Sequence, residues 1–200
     1  MIKAVIFDMG GVMIHLDRDI CINNFKQKAG FETIEDYLDL YHQKGFLGEL
    51  EAGHIDEKEF YRRSLQLCWP GTTEETIEFC LQSLLTDLNM SIINQIPPLS
   101  AKFDLYVLSN NNPICARTFL RQLDKVEGIR GMFKEMFFSY QMKMMKPEPK
   151  IYETAIAGTG CRRDEILFID DSPINTKGAE DVGIKTLLYT KGMIINPEEF

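Results

Sequence analysis

Aspartate residues directly follow two apolar runs of this 200-residue sequence. Asp8 follows residues 4–7 (AVIF), and the pair Asp170 and Asp171 follows residues 166–169 (ILFI). Four consecutive apolar residues are typical of a strand that is buried on both faces of a sheet. Because ligands of open parallel sheets bind at the edge where the strands end, we expect these three carboxylates to share one site.

The charge of such a cluster indicates which groups must accompany it. Crowded carboxylates repel one another, and their pKa values rise unless a cation compensates. Lys146, which precedes a proline, is one candidate cation, and a divalent metal ion with oxygen ligands, Mg²⁺, is the other. The backbone carbonyl of Gly10 offers a further oxygen ligand. Once the charge is neutralised, a phosphoryl group can approach a nucleophilic carboxylate, so an aspartyl-phosphate intermediate becomes feasible.

Polar residues also follow a third apolar run, residues 105–108 (LYVL). Ser109, Asn110 and Asn111 come next, and Pro113 is suited to the first position of a helix. A serine hydroxyl and the backbone N–H groups of the two asparagines, close to a helix start, suit the oxygens of a phosphate. The sequence therefore predicts a phosphate-binding segment beside the carboxylates.

Strands and helices alternate through the parts of the chain that carry these residues. This alternation is typical of right-handed βαβ units and a parallel sheet. We predict a Rossmann-like α/β fold whose strands comprise residues 4–7, 105–108, 136–138, 166–169 and 186–189. One helix is predicted from about residue 148 to 157, ending at Gly158, and another from 175 to 181.

Residues 17–89 have a different pattern, because apolar residues recur there at helical spacing. We predict that they form an inserted helical cap of about four helices, without a buried strand. The core domain then comprises residues 1–16 and 90–200. Cap side chains would select the substrate, and the sequence leaves open which residue faces the cleft among Arg18, Tyr41, Phe46 and His54.

Composition narrows the class of protein. The net charge of −8 and the pI of about 5.0 argue against nucleic acid as a partner, since no basic run offers a surface for phosphates. The five cysteines show no CxxC pairing, which favours reduced thiols over zinc or disulfides. No apolar run approaches the roughly 20 residues of a membrane span. We expect a soluble cytoplasmic protein, a monomer or a homodimer.

Four segments, in this order along the chain, resemble the motifs of the haloacid dehalogenase (HAD) superfamily. They are Asp8-Met9-Gly10-Gly11-Val12, Leu108-Ser109-Asn110, Lys146-Pro147, and Phe168-Ile169-Asp170-Asp171-Ser172 with Asn175. The resemblance covers essentially the whole chain, since residues 17–89 lie where that family inserts its cap. Gly48-Glu49 and residues 51–55 (EAGHI) are similar to the sugar-phosphatase branch that includes α-glucose-1-phosphate phosphatase.

The resemblance implies a Mg²⁺-dependent phosphatase of small phosphorylated metabolites, with sugar phosphates as the first class expected. Asp8 would be the nucleophile, and Ser109, Asn110 and Lys146 would hold the phosphoryl group. Asn175 would brace the metal site and Lys146. The residues that would hold Mg²⁺ are Asp8, Gly10, Asp170 and Asp171.

One position departs from the family pattern. HAD phosphatases carry a second aspartate two residues after the nucleophile, which serves as general acid and then as base, and Gly10 stands there. General acid–base catalysis contributes a factor of roughly 10²–10⁴. Either the leaving group needs little protonation, as in an anomeric sugar phosphate or an acyl phosphate, or a cap residue or a water molecule replaces the aspartate.

Two other functions are compatible with this pattern. A 2-haloacid dehalogenase of the same superfamily uses the aspartate on carbon without a metal, but Asp170 and Asp171 argue against it, since a metal-free site has no use for them. A catalytically degenerate HAD domain that acts as a binding or regulatory module is suggested by Gly10.

Overall fold

The computed structural model describes residues 1–39 and 43–200. Tyr41, one of the residues considered for the cleft, lies outside the described residues. The seven strands of the described chain are β1 (Ala4–Phe7), β2 (Ile14–Leu16), β3 (Leu85–Leu88), β4 (Asp104–Ser109), β5 (Phe133–Phe138), β6 (Ile166–Asp170) and β7 (Lys185–Leu188). Its ten α-helices are α1 (Arg18–Asn24), α2 (Gly45–Glu51), α3 (Glu57–Leu65), α4 (Glu74–Gln82), α5 (Met90–Ile93), α6 (Ile96–Ser100), α7 (Pro113–Leu123), α8 (Ser139–Met142), α9 (Pro149–Thr159) and α10 (Pro173–Asp181).

Five strands form a parallel sheet in the order β5-β4-β1-β6-β7, which confirms the Rossmann-like α/β prediction. The central strand, β1, lies between β4 and β6. Phe7 is level with Val107 of β4 and with Ile169 of β6. The three strands are therefore in register, so the segments that follow β1, β4 and β6 come together at one edge of the sheet.

The alternation of side chains along β1 explains why its sequence is apolar at every position. Val5 and Phe7 belong to one hydrophobic cluster, whereas Ala4 and Ile6 belong to a second cluster on the opposite face. The helices α9 and α10 cover the second face through buried residues such as Tyr152 and Ala179. Burial on both faces fixes β1 firmly, so the residue after it has a well-defined position.

A small antiparallel sheet lies at the base of the inserted segment. Strands β2 and β3 pair there, with Ile14 opposite Leu88 and Leu16 opposite Leu85. The expectation of no strand within residues 17–89 is therefore wrong at Leu85–Leu88. Four α-helices, α1 to α4, occupy the described part of the segment as expected. The division into core and cap domains stays a prediction.

The inserted helices also pack against the sheet domain. Ile77 and Leu81 of α4 belong to the same hydrophobic cluster as Phe119 of α7. Arg117 of α7 forms an ion pair with Glu57 of α3, with 2.7 Å between Nη2 and Oε1. The contact between the two parts is therefore both apolar and ionic.

One predicted helix end is also wrong. Helix α9 continues to Thr159 and ends at Gly160, whose φ of 68° provides the left-handed conformation of a helix C-cap. Gly158 lies inside the helix, where a Cβ atom would meet the ring of Phe137 within 2.5 Å. Its small size allows α9 to pack against β5.

Strand β5 begins at Phe133, three residues before the predicted start. None of the described helices is long and apolar enough to span a membrane.

Candidate active site

Lys146 is the centre of a buried ionic cluster at the carboxyl edge of the sheet. Its Nζ lies 2.7 Å from Oδ1 of Asp8 and 2.6 Å from Oδ2 of Asp170. It also donates to the carbonyl oxygen of Leu108 at 3.1 Å. Only 1% of Lys146 is exposed, and Asp170 is fully buried. The structure thus brings together the predicted nucleophile, the predicted cation and one of the paired aspartates.

Burial and charge together set the pKa values in this cluster. Burial raises the pKa of Asp8 to about 7, although the charge of Lys146 lowers it and that of Asp170 raises it further. Burial also raises the pKa of Asp171 to about 6, with Asp170 adding to the effect. For Lys146, burial lowers the pKa, but the charges of Asp170 and Asp8 outweigh it, so its pKa lies above the ordinary value. Lys146 therefore remains an ammonium group.

The side chain of Asn110 holds the backbone of Lys146. Its Nδ2 donates to the carbonyl oxygen of Lys146 at 2.9 Å, and its Oδ1 accepts from the N–H of Lys146 at 2.8 Å. The side chain of Asn110 is therefore committed to positioning Lys146, so a phosphate contact would have to come from its backbone. Ser109 ends β4 and is 1% exposed, and it lines the same cleft as Asp8.

The N–H of Asn111 differs from the sequence-based expectation. It donates to Oγ of Ser139 at 2.8 Å and is not available for a phosphate oxygen. Residues after a strand often satisfy nearby backbone or side-chain groups, and the sequence offered no sign of this partner 28 residues away.

Asp170 and Asp171 are adjacent in sequence but differ in their surroundings. Asp170 accepts from Lys146, from the N–H of Ser172 at 2.8 Å, and from Nδ2 of Asn175 at 3.1 Å. Asp171 is only partly buried and forms no ion pair with Lys146. Its Oδ2 occupies the space that a Cβ atom at Gly11 would enter. Asp170 thus braces the cluster, and Asp171 presents a free carboxylate to the cleft.

The oxygen atoms of this site fit a hard divalent cation. One ligand oxygen from each of Asp8, Asp170 and Asp171 lies within 4.8 Å of the others. Three carboxylates face a single ammonium group, so the ionised cluster carries excess negative charge. The Oδ1 atom of Asn175 is buried and has no hydrogen-bond partner in the described part of the chain, and a water molecule or an ion would satisfy it. Oxygen donors of this type are those that Mg²⁺ prefers.

The cleft above the cluster is lined by both parts of the chain. Gly10, Ser109, Asn110, Lys146, Asp171 and Asn175 line it together with Asp8, and Gln43, Glu51, Leu84 and Leu85 contribute from the inserted segment. Of the residues considered from the sequence, Phe46 packs in the helical segment with its ring 4.6 Å from that of Tyr37. Arg18 donates to the carbonyl oxygen of Leu38, and His54 is exposed.

Sequence reasoning did not assign a role to Glu51. This residue is 6% exposed and ends α2, and it follows the buried residues Leu47 and Leu50 by four and one positions. An acid on the apolar face of a helix is unusual, since unpaired carboxylates are rarely buried. A glutamate among the apolar residues of this helix was therefore the sequence feature that could have identified Glu51.

Comparison with known proteins identifies the family. The sequence pattern of haloacid dehalogenase-like hydrolases matches residues 2–183. The chain belongs to this family. The D-ribitol-5-phosphate phosphatase of Bacteroides thetaiotaomicron is 30% identical over 194 residues, which cover 96% of this chain and 94% of that protein.

Solved structures agree with the assignment to the HAD-like hydrolases. A HAD family enzyme from Bacteroides thetaiotaomicron, crystallised with magnesium and inorganic phosphate, is 32% identical, with a TM-score of 0.85 and 97% of each chain covered. The L-2-haloacid dehalogenase from Xanthobacter autotrophicus is 16% identical, with a TM-score of 0.54 over 93% of this chain and 76% of that one. The latter likeness shows the shared fold alone. As a member of this family, the chain is an enzyme, a hydrolase.

Proposed function

We propose that this HAD-like hydrolase is a Mg²⁺-dependent phosphatase of small phosphorylated metabolites. The observation that carries the proposal is the ion-pair bridge of Lys146 to Asp8 and Asp170, with the free carboxylate of Asp171 beside it. This arrangement supplies a positioned nucleophile and oxygen ligands for a cation in one cleft.

The reaction would begin at Asp8. Its carboxylate oxygen attacks the phosphorus atom, the bond to the leaving oxygen breaks, and an aspartyl-phosphate forms. A water molecule then attacks the phosphorus, the bond to Asp8 breaks, and inorganic phosphate leaves. Lys146 holds the attacking carboxylate in place and offsets the charge of the phosphoryl oxygens, and Ser109 donates to one of those oxygens.

Asp8, Asp171 and the carbonyl oxygen of Gly10 would hold Mg²⁺, with Asp170 on the side of the site that Lys146 occupies. Bound Mg²⁺ supplies electrostatic stabilisation for the charge on the carboxylates and the phosphoryl group. Asn175, which donates to both oxygens of Asp170, would keep that carboxylate oriented.

We propose phosphorylated sugars or polyols as the substrate class. The related D-ribitol-5-phosphate phosphatase supports a polyol phosphate as the first candidate. Polar residues such as Gln43 and Glu51 in the lining of the cleft suit a hydroxylated substrate, because each can hydrogen-bond an alcohol. The inserted helices would cover the substrate and exclude water.

A phosphate-release screen tests the proposal. The purified protein with Mg²⁺ is offered D-ribitol 5-phosphate, other polyol and sugar phosphates, sugar 1-phosphates and acyl phosphates. We expect release from at least one class, loss of release with EDTA, and recovery when Mg²⁺ is restored. Asp8→Asn serves as the blank, since an amide is a poor nucleophile. If the native protein releases no phosphate from any class, a non-catalytic binding or regulatory role replaces the proposal.

The dehalogenase alternative is tested in the same preparation. A metal-free dehalogenase would release chloride from a 2-haloacid in the presence of EDTA. We expect no such release, because the buried carboxylate cluster retains excess negative charge without a metal and would repel an anionic substrate.

A further inference from the structure

Glu51 is among the residues that line the cleft of the ionic cluster, although its helix belongs to the inserted segment. Glu51 lines the same cleft as Asp8 and Gly10. It is 6% exposed, and within residues 1–39 and 43–200 no cation is among the groups that act on its carboxyl. A buried carboxyl group without a cationic partner is costly, so a functional reason for it is expected.

The backbone of Glu51 is fixed to the sheet domain. Ser139, the first residue of α8, donates through Oγ to the carbonyl oxygen of Glu51 at 2.6 Å. The same Oγ accepts from the N–H of Asn111 at 2.8 Å. One hydroxyl group therefore joins the end of α2 to the segment that follows Ser109.

The chain after Glu51 adds a second, steric contact. Gly53 has a φ of 67°, and a Cβ atom there would overlap the carbonyl oxygen of Tyr140 in α8. Only glycine permits this close approach of two backbone segments. The chain is therefore held against α8 at the carbonyl oxygen of Glu51 and again two residues later, at Gly53.

The surroundings of Glu51 favour a protonated carboxyl group. Burial raises its pKa to about 8, hydrogen bonding from the Asn112 side chain lowers it, and the charge of Asp8 raises it again. Glu51 is also the last residue of α2, where the partial negative charge of a helix C-terminus disfavours a second negative charge. At neutral pH this group holds a proton that it can donate.

We propose that Glu51 is the general acid of this enzyme, in the role for which the chain has no carboxylate at Gly10. The inference rests on the proposed phosphatase function. Glu51 reaches the cleft from the inserted helices, on a different chain segment from the one that follows the nucleophile.

The proton and electron balance follows from this assignment. As Asp8 attacks phosphorus, the bond between phosphorus and the leaving oxygen breaks, its electron pair stays on that oxygen, and the Glu51 proton transfers to it. The alcohol then departs. In the second step the Glu51 carboxylate accepts a proton from the attacking water, and the electron pair of the phosphorus–Asp8 bond returns to Asp8. Glu51 ends protonated, as it began.

The test compares two leaving groups in the Mg²⁺-loaded enzyme. For a polyol phosphate, whose alkoxide needs a proton, Glu51→Gln should lower kcat/KM by roughly 10²–10⁴-fold. For p-nitrophenyl phosphate, whose leaving phenolate needs little protonation, kcat/KM should change less than about threefold. In the second case kcat should still fall, because the hydrolysis of the aspartyl-phosphate has lost its base, and a burst of one p-nitrophenol per enzyme should precede slow turnover.

Two further variants separate proton transfer from structural damage. Glu49→Gln alters another carboxyl of α2, whose side chain is 41% exposed and pairs with Arg63 at 2.9 Å, and it should leave the turnover of both substrates unaffected. Glu51→Asp keeps an acid and should retain more polyol phosphate activity than Glu51→Gln. Equal retention by these two variants at position 51 would contradict the proposal.

The outcomes also distinguish this inference from the proposed function. Equal loss of kcat/KM for both leaving groups in Glu51→Gln, with the fold intact by circular dichroism, would show that Glu51 acts in binding or structure and would overturn its role as acid. The phosphatase function would then still stand on the native activity. A native enzyme that releases phosphate from neither substrate would instead contradict the proposed function itself.

Discussion

The side chain of Leu16 lies 3.0 Å from the point that a Cβ atom at Gly10 would occupy. Leu16 ends β2 and lines the cleft. An aspartate at position 10 would therefore have to displace an apolar side chain. The absence of an acid at this position is accompanied by apolar packing in its place, which agrees with a proton donor that reaches the cleft from another direction.

Gly10→Asp tests whether the proton donor has been relocated or lost. We expect this variant alone to change polyol phosphate turnover by less than about tenfold, since Glu51 already supplies the proton. In the Glu51→Gln background, the same substitution should raise kcat/KM, because Leu16 can move by a few tenths of an ångström and admit the new carboxylate. Steady-state phosphate release measures both. A gain of roughly 10²-fold or more in the native background would mean that the enzyme lacks a general acid.

Gly11 is a position at which an added methyl group would disturb the carboxylate cluster. Its φ is 76°, and a Cβ atom would overlap Oδ2 of Asp171. Gly11→Ala should displace this carboxylate and lower the affinity for Mg²⁺, with a loss of phosphate release of roughly 10²-fold at limiting metal. Activity measured against Mg²⁺ concentration gives the affinity.

Gly128→Ala is the matched control for this substitution. Gly128 has a φ of 73°, but no atom of the described residues lies within 4 Å of the point that a Cβ atom there would occupy. Gly128→Ala should lower the free energy of unfolding only by the backbone cost of a left-handed alanine, about 1–2 kcal/mol. The variant should keep the native response to Mg²⁺. Similar Mg²⁺ curves for Gly11→Ala and Gly128→Ala would show that Asp171 does not contribute to metal binding.

The ends of the parallel strands were predictable, because apolar runs identified β1, β4 and β6 and parallel pairing brings their ends to one edge. Asp8, Ser109 and Asp170 therefore followed from local patterns. Glu51 did not, since its approach to Asp8 depends on how the inserted segment folds back onto α8.

Two local features were also ambiguous in the sequence. Strand β3 has only four residues, with the outer two buried, which is too short to separate a strand from a helix by periodicity. Gly158 resembled a helix end, but its small size serves the contact with Phe137. Both depend on tertiary neighbours that lie far away in sequence.

Lys146 should contribute strongly to stability when the metal is absent. Lys146→Met leaves Asp8 and Asp170 buried without their cation, and breaking one side of a buried ion pair costs roughly 3–5 kcal/mol. We expect a loss of this size in urea unfolding with EDTA. Lys177→Met provides a comparison, because Lys177 pairs with Asp181 on the surface, with both side chains more than half exposed. That variant should change the free energy of unfolding far less than Lys146→Met does, because surface ion pairs contribute little. If Lys146→Met and Lys177→Met lowered the free energy of unfolding equally, the buried ion pairs of Lys146 would not be a special source of stability.

Glu51→Gln should stabilise the metal-free protein at alkaline pH. The pKa of Glu51 is raised from 4.5 to about 8 in the folded protein, so the unfolded chain loses this proton first as pH rises. Folding stability therefore falls between those two values and stays low above them. A glutamine cannot ionise, so the variant should match the native protein near pH 4 and exceed it above pH 8 by on the order of a few kcal/mol.

Urea unfolding at both pH values, with EDTA, measures this difference. Two titratable groups lie near the Glu51 carboxyl. The charge of Asp8 raises the pKa of Glu51. The Cys115 thiol stays neutral throughout, because burial raises its own pKa to about 12. Glu49→Gln, which removes a half-buried carboxyl group from the same helix, is the matched control. If Glu51→Gln has the same free energy of unfolding relative to the native protein at both pH values, Glu51 is ionised at neutral pH. It then has no proton to donate to the leaving group. A raised pKa of Glu51 is needed for proton donation at neutral pH, and the same raised pKa lowers the stability of the native protein at alkaline pH.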